Sequence, residues 1–140
     1  MTELDGRRIA IVVDPSLPPG LIANTVAVIG IGLGAAAPWL GGDRLVDADG
    51  RVVMSSASRP VPVLQADAAA LAGLLTKACP VPDGAVLVPF PHYARAIHDF
   101  AAFRDGFATH RLSEARIDGI GLAGPGKWVR SLTGSCGLLR

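Results

Sequence analysis

The sequence predicts a single α/β domain of three layers, with helices on both faces of a central sheet. Three observations predict it. A chain of 140 residues fits one domain and can bury a core without disulfides or a structural metal. Short apolar runs of strand length alternate with segments of helical period, the pattern of a layered α/β fold. No repeat, low-complexity tract or linker interrupts residues 1–140.

The elements follow in order. Arg8 to Val13 is a continuous apolar run rich in β-branched residues, a strand buried on both faces. Asp14-Pro-Ser-Leu-Pro-Pro-Gly20 is a stiff loop, because three prolines fix φ. Residues 21–33 read as a helix that is apolar nearly all round and hence buried. Asp47-Ala-Asp-Gly50 is a turn signal between Leu-Val and Val-Val, which predicts a hairpin. Residues 60–64 hold two prolines, so they form an edge strand or a strand end. Asp67 caps a helix over 68–78 that carries Leu71, Leu74, Leu75 and Ala78 on one face. A third strand spans 85–90. A long amphipathic helix is expected over 92–107, with Tyr93, Ile97, Phe100 and Phe107 on one face and an Arg95–Asp99 pair opposite. A fourth strand covers 116–123. Pro125 starts a short helix, Gly134 suits its C′ position, and residues 137–140 form a short extended edge.

Composition narrows the class. Aromatics make up only 5% of the chain, so the core must be built from small, closely packed side chains. A net charge of +1 argues against strong nucleic-acid binding or an acidic membrane as partner. Cys79 and Cys136 lack metal-ligand spacing and read as two thiols in a reducing, cytoplasmic compartment. Residues 15–42 carry no charge, but the apolar part falls short of the roughly 20 residues of a spanning helix. Asn24, Gly30, Gly32 and Gly34 interrupt it, and Asp14, Pro15, Pro18 and Pro19 spoil a signal-peptide reading. No membrane association is expected.

Three motif imitations fail on physical grounds. Gly30-Ile-Gly32-Leu-Gly34-Ala35 mimics the dinucleotide fingerprint, but Pro38 and Gly41-Gly42 leave no room for the helix that would receive a pyrophosphate. Gly121 to Lys127 fits GxxxxGK, yet Trp128 stands where a P-loop needs Ser or Thr for magnesium. Gly134-Ser-Cys-Gly137 is not a nucleophile elbow. His92, His98 and His110 show no metal-binding spacing, so neither metal nor cofactor is expected.

A positional argument selects the candidate site. Ligands of open α/β sheets settle beyond the carboxyl ends of parallel strands. Asp14 ends the first strand, Gly20 and Asn24 open the first helix, and His92 and Tyr93 follow the third strand. These five residues are the ligand-binding candidates. For catalysis, His92 is the candidate general base and Asp14 its orienter.

The run Ile9 to Asn24, with Asp47 to Gly50, Pro60 to Asp67, Gly124 to Lys127 and Leu132 to Ser135, resembles a bacterial domain-of-unknown-function family, the one numbered two thousand. That family resembles the type II peptidyl-tRNA hydrolases in fold. The resemblance implies a four-stranded mixed sheet in the order second, first, fourth, third, with the fourth strand antiparallel and Lys127 therefore far from Asp14. The hydrolases carry lysines after the first strand, whereas this loop reads Leu17-Pro-Pro-Gly20. The cationic groups that hold tRNA phosphates are largely missing. Peptidyl-tRNA hydrolysis is accordingly not expected. The expected function is a binding module for a small molecule or peptide, with a divergent ester or peptidyl hydrolase as the alternative. The resemblance also implies a homodimer, for which the apolar Trp39 and Leu40 are the candidate anchors.

Overall fold

The computed structural model describes residues 5–140. Its centre is β1, Arg7–Val13. On one side β1 pairs in parallel with β4, Val63–Gln65, which pairs in turn with an antiparallel two-residue strand β7, Gly137–Leu138. On the other side it pairs antiparallel with β6, Ile117–Pro125, and β6 pairs antiparallel with β5, Val86–Pro91. The order is β5-β6-β1-β4-β7. The expected four-stranded sheet is thus five-stranded, extended by the short edge anticipated near the C-terminus. The four expected strands hold the expected order, and β6 is antiparallel to β1. A separate two-stranded sheet, β2 at Arg44–Val46 and β3 at Val52–Met54, is the hairpin expected around 47–50. Gly50 takes φ +80°, which favours glycine, while Asp47 Oδ1 accepts from the backbone N–H of Asp49 and Arg51.

Strand alternation divides the core in two. Ala10 and Val12 of β1, with Ile120 and Leu122 of β6, face α2 (Ala68–Ala78) and α4 (Gly126–Thr133). Ile9, Ile11 and Val13 face the other way, against Ile29 and Leu33 of α1, Pro19–Ala36. On that face β6 presents Gly119 and Gly121. A Cβ on Gly119 would meet Thr25 Cγ2 at 2.6 Å, and one on Gly121 would meet Leu33 Cδ1 at 2.7 Å. These two glycines let α1 settle onto the sheet.

The first helix departs from expectation. Its apolar sequence predicts burial all round, but only Thr25, Ile29 and Leu33 are buried, and Ile31 is 73% exposed. The reason is geometric: α1 lies alone over its face of a five-stranded sheet, so its outer side has no cover.

The helix expected over 92–107 is broken. A 3-10 turn spans His92–Ala96, the backbone then runs extended, and α3 spans Phe100–Phe107. Asp99 accounts for the break. Its extended backbone and its carboxylate, which accepts from Ala101 N at 2.9 Å, make it the N-cap of a new helix. The expected Arg95–Asp99 pair is therefore absent. Arg95 turns inward instead. Asp67 caps α2 as expected, accepting from Ala70 N at 2.8 Å. Gly134 ends α4 with a right-handed φ of −60°, so the left-handed C′ role foreseen for it is not used. Pro89 and Pro91 sit in the edge strand β5, where missing N–H groups blunt the open edge.

Trp39 does not form the expected apolar patch. The Arg7 and Arg59 guanidiniums lie over its ring, 4.2 and 4.4 Å from the centroid, and Leu40 is buried. Trp39 and Leu40 both fold back on their own domain, where two cations against the indole offset its exposure.

Candidate functional site

The topology brings the carboxyl ends of β1 and β5 to one edge of the sheet, together with the start of antiparallel β6. Backbone hydrogen bonds close this end. Asp14 N donates to Asp118 O at 3.0 Å, and His92 N donates to Arg116 O at 2.8 Å.

Asp118 is the centre of the site. It is wholly buried, and a buried carboxylate must be paired and hydrogen-bonded. His92 Nδ1 lies 2.9–3.0 Å from both its oxygens, Arg95 Nε donates at 2.7 Å, and Arg116 Nε stands 3.7 Å away. Arg95 reaches on to α1. It donates to Asn24 Oδ1 at 3.3 Å, to Leu21 O at 3.4 Å and to the Thr25 hydroxyl. Its guanidinium also lies over the Phe90 ring. One arginine thus ties β6, α1 and the 3-10 turn to a single carboxylate.

This pairing orients His92. Nδ1–H is donated to Asp118, which leaves Nε2 without a partner among the described residues. The His92 side chain is 43% exposed. It lines a cleft of about 430 Å³ with Tyr93, Thr109, His110, Arg111, Glu114 and Arg116. Tyr93 stacks on His110 with ring centroids 4.0 Å apart. Its hydroxyl is buried without a partner among the described residues, and burial raises its pKa above the usual tyrosine value. Asp14 is buried beside this cluster. Burial alone would raise its pKa, but the Ser16 hydroxyl at 2.7 Å, the Ser16 N–H at 2.9 Å and the Arg116 charge outweigh that and lower it.

A family model, protein of unknown function (DUF2000), matches residues 7–140. The chain belongs to that family. No curated protein matches this DUF2000 chain at a significant level. It is similar to a solved structure, the protein of unknown function Atu0240 from Agrobacterium tumefaciens strain C58, at 21% identity and a TM-score of 0.87. The match covers 96% of this chain and 98% of that one. At that identity what the two share is the fold.

Three of the five residues expected in this DUF2000 site, Asp14, His92 and Tyr93, gather at the same sheet end. Asn24 joins them through Arg95. Gly20 is exposed at the start of α1 and does not line the cleft. Asp14 is not the orienter of His92. Its Oδ1 is engaged by Ser16, and Asp118 orients the ring. Sequence reasoning missed Asp118, Arg95, Arg116 and His110. For Asp118 a signal existed: a lone carboxylate one residue inside an apolar strand, Ile117-Asp118-Gly119-Ile120. An unpaired charge cannot be buried there, so partners had to lie nearby.

Proposed function

We propose that this DUF2000 protein is a binding module that holds a small molecule or short peptide, through an anionic group, in the cleft beyond β5. The observation that carries the reading is the pair of arginines, Arg111 and Arg116, that line the cleft beside His92, whose ring a buried carboxylate holds through Nδ1. Arg111 and Arg116 supply cations opposed by Glu114 alone among the carboxylates lining the cleft. Arg116 is half exposed, and its contacts to Asp14 and Asp118, at 3.6 and 3.7 Å, leave its hydrogen-bonding capacity for a ligand.

The test is a thermal-shift and calorimetric screen of small carboxylates, phosphates and short acidic peptides. A ligand at a hundred times its Kd should add about 2.7 kcal/mol to apparent stability. The shift should vanish in His92→Ala and Arg116→Ala. A screen in which nothing stabilises the wild type, or a ligand that stabilises both variants equally, would refute the assignment.

A second reading is hydrolysis of an ester or peptidyl bond, favoured by the same His92–Asp118 contact. His92 would act as general base on a water molecule, since no serine or cysteine lies within hydrogen-bond reach of it among the described residues. Turnover of simple aryl esters or acyl-peptides, lost in His92→Ala, would establish it. Kinship of fold with the type II peptidyl-tRNA hydrolases belongs to the same proposal. The strand order with antiparallel β6 supports it. The loop after β1 holds no lysine, so purified protein should leave peptidyl-tRNA intact. Two free thiols, Cys79 and Cys136, fit a reducing, cytoplasmic setting.

A further inference from the structure

We propose, resting on the anion-binding reading of the cleft, that the ligand is an amphipath: a charged head in the cleft and an apolar tail in the space beneath α3. That helix is unusual in what it leaves bare. Phe100, Phe103 and Phe107 recur at helical spacing and form one apolar face. Yet no residue of α3 is buried, and Phe100 is 73% exposed. A helix of eight residues draws its stability from the packing of such a face rather than from its own hydrogen bonds. The face of α3 therefore lacks an apolar partner.

The space it leaves has the size and lining of a ligand site. A groove of about 500 Å³ opens between Ile31 of α1, Val88 and Phe90 of β5, and Phe100 and Phe103 of α3. A recess of about 290 Å³ shares Val88, Pro89, Phe100 and Phe103 with it and runs on to Leu87 and Phe107. The groove falls within the range of small-molecule sites, which are lined mainly by aliphatic and aromatic side chains. It lies along β5, the edge strand of the sheet.

Charge decides which end of the ligand goes where. The cleft sets Arg111 and Arg116 against Glu114. The groove is lined by no lysine or arginine, and its one carboxylate, Asp99, caps α3. In the adjoining recess Arg104 is matched by Asp105 at 3.5 Å. An anionic head is thus attracted to the cleft and opposed in the groove. Tyr93 joins the two compartments. It lines the cleft, and its ring centroid stands 6.3 Å from that of Phe103, which lines the groove. Its hydroxyl, buried without a partner among the described residues, is a donor that costs stability until an acceptor reaches it. A cationic compartment and an apolar one, separated by one aromatic ring, fit a single molecule with one charged end and one apolar end.

The experiment is isothermal titration calorimetry of the full chain with butyrate, hexanoate, octanoate and decanoate, and with the matching alcohols as uncharged controls. One carboxylate should bind per chain. Its Kd should fall about fourfold for each added methylene, the equivalent of burying that group. Ile31→Glu and Phe100→Ser alter exposed side chains on the groove, so both should fold, which circular dichroism checks. In both, the gain per methylene should be lost. Carboxylates that bind with no gain from length, or a gain that persists in both variants, overturn the proposal and leave the anionic cleft standing. Alcohols that bind as tightly as the carboxylates overturn the proposal and the anionic cleft together. If none of the carboxylates binds, the proposal also falls, and binding of phosphates or acidic peptides then decides the cleft separately.

Discussion

Replacing Asp118 by Asn tests the core of the site. The substitution keeps shape and removes one charge. Asp118 is wholly buried, and its strongest partner, Arg95, is 16% exposed. Removing one member of a buried pair costs about 3–5 kcal/mol, because the other charge stays buried and uncompensated. His92 and Arg116, at 43% and 50% exposure, add little, since water can replace the lost partner. With an unfolding entropy of about 2.1 cal/mol/K per residue, 140 residues give about 0.29 kcal/mol/K. The expected fall in Tm is therefore about 10–17 °C. Differential scanning calorimetry measures it. A companion variant sharpens the reasoning. Asp118→Leu combined with Arg95→Met removes both charges and should be less destabilised than Asp118→Asn. A fall below about 3 °C for Asp118→Asn, or a double variant worse than the single one, would show that the carboxylate is not the buried counter-charge described.

Gly121→Ala places a methyl against Ile29 and Leu33 and should cost about 1–3 kcal/mol in thermal denaturation; a neutral result would mean that α1 does not press on β6. Asp67→Ala removes the α2 cap and should cost about 1 kcal/mol by urea titration, with the m-value unchanged. Asp14 has a lowered folded pKa, so the unfolded chain takes up its proton first as pH falls. Its stabilisation is full above about pH 4 and is lost as pH drops through the folded pKa. Asp14→Asn should flatten the acid limb of the stability profile below pH 4, and an unchanged limb would contradict the shift.

How far the fold was legible depended on whether a signal was local. The strand at β1, the Asp47–Gly50 hairpin and the Asp67 cap each rest on residues adjacent in sequence, and all appear in place. The break before Asp99 was local too, yet a continuous apolar spacing over 92–107 masked it. There a cap residue won over the periodicity. The exposure of α1 was not local at all. An all-apolar helix normally signals burial on every side. Whether its outer side is covered depends on how many helices share that face of the sheet, and only the complete topology contains that number.

The site shows the same limit from the other side. His92 and Asp14 were found because each ends or follows a strand, and parallel strands send their ends to one place. Their pairing was inferred from proximity at that edge. What position could not reveal was competition for the partner. Ser16 lies two residues beyond Asp14 and engages its carboxylate through both hydroxyl and N–H. Asp118 enters from a strand that runs the opposite way, 26 residues from His92. It has no solvent to fall back on and must take every donor available: His92, Arg95 and, more distantly, Arg116. The deeper carboxylate therefore captures the imidazole, and the shallower one is left to shape the loop. A rule follows for reading such sequences. Where two carboxylates share a sheet end, the one embedded in an apolar run deserves the histidine, because its burial leaves it no alternative.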